Sequence, residues 1–112
     1  MKNLLFLFFI VALTIQAQDF KSGLQVVEFN ASFNKSNEVT WLTKLTDCNT
    51  ERVDITSDSR WASEYKIVVV PTLVVFNNNE EVKRFQANIM MTMEATRKDV
   101  QDSIDEIIME AF

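Results

Sequence analysis

The sequence predicts one small α/β domain in which elements follow the order strand, helix, strand, helix, strand, strand, helix. Three observations carry this prediction. Short apolar runs of strand-favouring residues alternate with segments of helical periodicity. The single proline, Pro71, interrupts an apolar run where a strand should begin. The last segment repeats apolar residues at helical spacing. This alternation implies parallel pairing, and a terminal hairpin adds one antiparallel strand to a small mixed four-stranded sheet.

The first strand is predicted at residues 24–29, a mostly apolar run typical of a strand buried on both faces. An amphipathic helix is predicted from about residue 34 to residue 47, because its apolar residues recur three apart. These apolar residues are Val39, Leu42 and Leu45, with Trp41 beside them. Alternating polar and apolar residues predict the second strand at residues 52–56.

A brief second helix is expected after Ser57, Asp58 and Ser59, whose side-chain oxygens can cap the free amides of a helix start. The third strand is predicted at residues 72–76, directly after Pro71. Asn77-Asn78-Asn79-Glu80 is a predicted turn, because asparagine tolerates positive φ better than most residues. Residues 81–85 therefore form the second arm of a hairpin.

The last helix begins at a capping box formed by Thr96 and Asp99. Its apolar face repeats at helical spacing, opposite an acidic face that we interpret as solvated surface. The apolar residues are Val100, Ile104, Ile107, Ile108 and Ala111.

The first residues have the layout of a secretory signal peptide. Lys2 precedes an almost unbroken apolar run at residues 4–13, and the chain then turns polar around Ala17. The run is shorter than the roughly 20 residues that a membrane-spanning helix needs. We therefore predict a signal peptide at residues 1–17, a single domain at residues 18–112, and a periplasmic or secreted protein without a stable membrane span. An uncleaved N-terminal anchor is the alternative.

The composition excludes several function classes. The 112 residues include no His, one Gly and one Cys, which excludes His-dependent catalysis, a P-loop and a Cys-x-x-Cys pair. The formal charge of −5 argues against a nucleic-acid partner, because such surfaces need clustered Lys and Arg.

Four segments in order resemble the thioredoxin-like superfamily over most of the chain. Residues 26–33 resemble the strand that leads to the family's active site, and residues 53–55 resemble its Val-Asp-Val segment. Residues 64–73 resemble the passage that ends in Ile-Pro-Thr-Leu, and residues 76–82 resemble Phe-x-Asn-Gly-x-x-Val. The resemblance implies a βαβαββα three-layer sandwich with a cis Val70–Pro71 bond.

The family's Cys-Gly-Pro-Cys motif falls on Asn34-Lys35-Ser36-Asn37, so both redox cysteines are absent. The resemblance places a peptide-binding groove beside the proline, where strand addition needs no cysteine. The residues of this candidate groove are Phe33, Asn34, Lys35, Ser36, Asn37, Val70 and Pro71. The alternative is that Pro71 now only shapes the fold.

Two further residues are candidates. Glu28 stands where the family places a buried acid that moves protons, and here it is expected to be a hydrogen-bonded polar core residue. Cys48 is the only thiol and is a candidate for one-thiol redox chemistry. Its acidic neighbours and its expected place at the far end of a helix favour the neutral thiol and a packing role.

A segment at residues 88–95 contains Met90, Met91 and Met93, with Met109 further on. Thioethers suit Cu(I), but methionine also fills apolar gaps, and no His lies nearby. We expect no metal or cofactor, and we consider the segment a candidate flap over the groove.

Taken together, the residues favour a redox-inactive module that binds an extended peptide or protein. The alternatives are a thiol-disulfide oxidoreductase that works weakly through Cys48 and a structural domain without a functional groove. The sequence specifies neither the partner nor the oligomeric state.

Overall fold

The computed structural model describes residues 19–112, and the predicted signal peptide at residues 1–17 lies outside them. In the described residues the chain forms four strands, two α-helices and two short 3-10 helices. In chain order these are β1 (Leu24–Asn30), a first 3-10 helix (Ser32–Asn37), a second 3-10 helix (Leu42–Lys44), β2 (Asn49–Asp54), α1 (Arg60–Glu64), β3 (Thr72–Asn77), β4 (Glu80–Gln86) and α2 (Arg97–Glu110).

The four strands form one mixed sheet in the order β2-β1-β3-β4. Only β1 and β2 are parallel, whereas β3 runs antiparallel to both β1 and β4. The single antiparallel strand of this sheet is therefore β3, and not the hairpin's second strand β4 as predicted. The reason is that α1 has only five residues, about 7.5 Å of helix, which is too short to return the chain along the sheet. The chain leaves β2 and enters β3 at the same end, where Thr72 is the partner of Phe29.

The prediction of an amphipathic helix at residues 34–47 is wrong. Two 3-10 helices and extended residues replace it, and the backbone of Val39 shows why. The Val39 amide donates to Glu28 Oε2 at 2.8 Å, and the Val39 carbonyl accepts from the Arg52 guanidinium. Because both backbone groups are bonded to side chains of the sheet, neither is available for an α-helical ladder. The apolar residues still turn inward, since Val39, Leu42 and Leu45 are buried.

Buried side chains cover both faces of the sheet, which gives the predicted three-layer architecture. One face packs against the 3-10 region and α2 through Val26, Leu73, Val75, Val100, Ile104 and their neighbours. The other face packs against α1 and an N-terminal segment through Phe20, Val27, Phe29, Val74, Phe76 and the flanking aromatic residues. The α/β class and the small mixed four-stranded sheet are therefore confirmed.

The hairpin and the last helix agree with the sequence. Asn78 and Asn79 form the β3–β4 turn with φ of 53° and 67°, which suits a two-residue turn whose central residues both have positive φ. Thr96 and Asp99 make both reciprocal hydrogen bonds of the capping box at the start of α2. None of the helices within residues 19–112 has the length and apolarity to span a membrane.

Candidate functional site at the carboxyl end of β1

The predicted groove residues come together at the carboxyl end of β1. The first 3-10 helix begins two residues after this strand. Pro71 follows a cis peptide bond and lies directly before Thr72, the partner of Phe29 near the end of β1. Because β1 and β3 are antiparallel, the segments that follow β1 and precede β3 meet at one end of the sheet.

Asn34 is the centre of a hydrogen-bond network at this end. Its side chain is only 3% exposed. The Nδ2 atom donates to Asn30 Oδ1 at 3.1 Å, to the Met91 carbonyl at 3.1 Å and, more weakly, to the Val70 carbonyl at 3.4 Å. The Oδ1 atom accepts from Asn37 Nδ2 at 2.9 Å. One amide therefore joins the end of β1, the 3-10 helix, the segment before Pro71 and the loop after β4.

This network occupies the positions of the cysteine motif. Asn34 and Asn37 stand where the resemblance places the two cysteines, and a hydrogen bond between two amides connects them. Amides neither exchange disulfides nor change protonation in the physiological pH range. The N-cap residue of this 3-10 helix, Ala31, makes no side-chain hydrogen bond to its start. The arrangement can hold backbone segments in place but cannot transfer electrons.

Two backbone amides beside Pro71 have no internal partner. The Val69 carbonyl accepts from Thr72 Oγ1 at 2.7 Å, and the Val70 carbonyl accepts from Asn34. In residues 19–112, however, no hydrogen bond engages the amide of Val69 or of Val70. Because backbone amides are strong donors, an extended segment laid beside residues 69–70 could accept from whichever of the two amides faces it.

Exposed apolar side chains surround the network, and each lies within two residues of one of its members. The exposed fractions are 73% for Phe33, 82% for Val68, 96% for Ile89 and 73% for Met90. Phe33 and the methionine segment were predicted from the sequence, whereas Val68 and Ile89 were not. The positions of Val68 and Ile89 in the chain, close to Pro71 and next to Met90, could have identified them as candidate groove residues. Neighbouring exposed apolar residues mark interaction surfaces more often than scattered ones do.

The loop at residues 87–96 is held by its own hydrogen bonds. Asn88 Oδ1 accepts from the Met90 and Thr92 amides and from the Thr92 hydroxyl. The Ala87 amide donates to the Pro71 carbonyl at 3.0 Å. Met90 is exposed, whereas Met93 packs against the core. The loop therefore adjoins the groove, and its methionines lie in different surroundings.

Glu28 is buried on β1 and serves the fold rather than the groove. Its side chain is 1% exposed, and its Oε1 atom accepts from Arg52 Nε at 3.0 Å. Burial raises the pKa of Glu28, although the Val39 amide and Arg52 act in the opposite direction. The carboxylate is fully hydrogen-bonded, as a polar core residue should be.

Cys48 lies far from the groove. It directly precedes Asn49, the residue that pairs with Gln25 at the amino end of β1, and it packs against the core in a half-buried position. The strand between it and the groove spans about 20 Å at 3.3 Å per residue. Burial, with a smaller effect from the Asp47 charge, raises the pKa of the Cys48 thiol. This environment disfavours the reactive thiolate.

Comparison with solved structures finds the same architecture in several thioredoxins. A thioredoxin mutant from Halobacterium salinarum superposes with a TM-score of 0.60 at 23% identity, over 76% of this chain and 74% of that one. Schistosoma mansoni thioredoxin gives 0.59 at 23% identity, over 88% and 86%. Thioredoxin-2, a component of the malaria parasite's protein secretion machinery, gives 0.63 at 17% identity, over 82% and 90%.

At these identities the likeness shows the fold. No protein-family model matches the sequence, and comparison with curated proteins finds no match. The similarity is nevertheless consistent along the chain, since each of these structures is covered over at least 74% of its own length.

Proposed function

We propose that this domain, which has the thioredoxin-like fold but a single cysteine, is a redox-inactive protein-binding module. Its ligand is an extended apolar peptide segment of a partner protein, bound at the groove beside Pro71. The observation that carries this proposal is that the Val69 and Val70 amides have no hydrogen-bond partner within residues 19–112, together with the exposed apolar side chains that lie near the network residues in the chain.

The backbone amides and the exposed apolar side chains would contribute to recognition in different ways. Main-chain hydrogen bonds to an added strand give affinity that is independent of the ligand's sequence, while side-chain contacts select the ligand. Here the side-chain contacts would come from Phe33, Val68, Ile89 and Met90. These side chains are apolar, so the proposed ligand carries apolar residues that face them.

The asparagine network supports binding rather than exchange chemistry. Because Asn34 holds the Val70 carbonyl and Met91 in place, the two sides of the groove are positioned before a ligand arrives. Preorganisation of this kind lowers the entropic cost of association.

We also propose that the protein acts outside the cytoplasm, in the periplasm or after secretion. The support is the apolar segment of residues 4–13, followed by polar residues around Ala17. N-terminal sequencing of the protein recovered from the exported fraction should find Gln18 as the first residue. Recovery of an intact Met1 would show that residues 1–17 are retained.

The binding proposal is tested with a random library of 12-residue peptides selected against the immobilised protein. The enriched peptides should carry apolar residues at alternating positions, as an added strand requires. Met90 and Met109 offer a matched pair of variants, because both are 73% exposed and only Met90 lies at the groove. Met90→Asp should weaken binding of an enriched peptide by about tenfold or more, since it replaces an apolar contact with a charge.

Met109→Asp and Cys48→Ser should bind the same peptide as tightly as the parent does. Equal weakening by the Met90 and Met109 variants, or failure to enrich any peptide, would overturn the proposal. The competing function is thiol-disulfide exchange through Cys48, and dithiothreitol-dependent reduction of insulin separates the two. We expect the parent and Cys48→Ser to show only the background rate, whereas faster reduction by the parent alone would establish the oxidoreductase.

A further inference from the structure

A separate pocket of about 300 Å³ lies between the carboxyl ends of β1 and β2 and the first 3-10 helix. Its lining includes three carboxylates and two cationic side chains, and none of the apolar residues that surround the groove. The charged residues are Glu28, Lys35, Glu38, Arg52 and Asp54, and Ala31 and Val53 also line the pocket.

Internal pairing accounts for three of the five charges. Arg52 Nε lies 3.0 Å from Glu28 Oε1 and 3.6 Å from Glu38 Oε2. Lys35 and Asp54 make no salt bridge, to each other or to any other residue in the described part of the chain. The pocket thus retains one unpaired charge of each sign.

The Asp54 carboxylate is held in a defined position. Asp54 Oδ1 accepts from the Thr56 amide at 2.9 Å and from the Thr56 hydroxyl, and hydrogen bonds from Thr56 and from the Ser32 backbone lower the pKa of Asp54. On the inner side, Glu28 is 1% exposed and bonded to Arg52 and Val39. Side chains positioned in this way are typical of a ligand site, in which a few polar groups fix the orientation of a small molecule.

We propose that this pocket binds a small zwitterion, a free α-amino acid. Its ammonium contacts Asp54, and its carboxylate contacts Lys35. A ligand with one negative charge alone would meet three carboxylates, and a ligand with one positive charge alone would meet Lys35 and Arg52. The volume lies at the lower end of the range for small-molecule sites, which fits an amino acid. The pocket shares Lys35 with the candidate groove, but amino-acid binding here does not require that a peptide binds there.

The test titrates the full chain with L-valine and with two analogues that each lack one charged group, isobutylamine and isovalerate. Binding is followed by amide chemical shifts in two-dimensional NMR. We expect valine to shift the amides of Asn30, Ala31 and Val53, and to bind about tenfold or more tightly than either analogue, because each charged contact is lost in turn. Equal affinity for the three compounds, or no shift with millimolar valine, would overturn the proposal.

Variants then assign the two contacts. Asp54→Asn keeps an oxygen acceptor for Thr56 but removes the charge, and Lys35→Met removes the ammonium; each should weaken valine binding by about tenfold or more. Lys98→Met and Asp102→Asn make the same charge changes at the exposed pair on α2 and should leave valine binding unchanged. If both sets of variants weaken binding equally, long-range charge rather than the pocket is responsible, and the assignment is wrong.

Discussion

At the scale of single residues, Asn34 and Glu28 hold most of the irregular backbone in place. Both side chains are nearly inaccessible to solvent, and both bond to backbone groups that lie outside regular structure. Buried polar groups of this kind define one conformation, because any alternative leaves them without partners.

Replacement of Asn34 by Ala removes the centre of the network. The Met91 and Val70 carbonyls lose a donor, and Asn37 loses an acceptor. We expect the free energy of unfolding to fall by about 1–3 kcal/mol, the cost of leaving buried polar groups unpaired. Urea unfolding measures this change. Ser36→Ala, at an exposed position of the same 3-10 helix, should change stability by less than about 0.5 kcal/mol. An equal effect of both variants would show that the network adds no stability.

Glu28 should make stability depend on pH. Because burial raises its pKa above the ordinary value near 4.5, the folded chain binds this proton more tightly than the unfolded chain does. The contribution to stability is therefore fully present below pH 4.5 and is lost as the pH rises through the folded-state pKa. The Glu28→Gln variant has no carboxyl group at this position and therefore lacks this pH dependence. We expect the stability of the variant relative to the parent to increase between about pH 4 and pH 7.

Urea unfolding of both proteins across this range measures the difference. Glu51→Gln is the control, because it makes the same substitution at an exposed position of β2. If the Glu28 variant instead loses stability relative to the parent as the pH rises, attraction to Arg52 outweighs burial.

At the scale of elements, the segment between β1 and β2 departs most from its expected structure. Its apolar spacing fits a helix, but Val39, Thr40 and Thr43 are β-branched and reduce helix propensity. The bonds from Glu28 and Arg52 to the Val39 backbone then compete with the helical ladder. The segment therefore keeps its inward-facing side chains while losing its regular backbone.

Helix α2 forms as the sequence predicts, because its start is determined locally. Thr96→Ala removes the hydroxyl that accepts from the Asp99 amide at 3.2 Å. We expect a loss of about 1 kcal/mol, measured as a lower Tm by circular dichroism. Glu94→Ala, two residues earlier at an exposed position, should leave the Tm within about 2 °C of the parent. A Tm for Thr96→Ala inside that same interval would contradict a stabilising cap.

At the scale of the whole molecule, an N-terminal segment completes the second face of the sheet. Phe20 is 6% exposed, and its ring lies 5.2 Å from that of Phe76 and 5.8 Å from that of Trp61, measured between centroids. The side-chain amide of Asn79, in the hairpin turn, accepts from the backbone N–H of Phe20 and donates to its carbonyl. Residues before the first strand thus belong to the core.

Phe20→Ala should reduce the free energy of unfolding by about 3–5 kcal/mol, because it removes a large buried side chain and leaves a cavity. Urea unfolding followed by tryptophan fluorescence measures the loss. Phe112→Ala is a matched control, since Phe112 is fully exposed and its loss should cost less than about 0.5 kcal/mol. Comparable effects of the two variants would mean that Phe20 does not pack against the aromatic residues in solution.

The sequence by itself determined the α/β class, the hairpin at Asn78 and Asn79, the α2 helix and the loss of the cysteine pair. These features follow from residue type and from contacts between near neighbours in the chain. The sequence also indicated that Pro71 and residues 33–37 line one groove, but only through the resemblance to a known family.

Only the tertiary structure decided the direction of β3, the irregular backbone at Val39, the bonds of Asn34 and the pocket beside Arg52. Each depends on groups that are distant in sequence: Glu28 is 11 residues from Val39, and Asn34 is 57 residues from Met91. Local periodicity carries no information about such partners. A backbone group bonds to the partner that the fold places within reach, and at Val39 the side chains of Glu28 and Arg52 take the place of the helical partners.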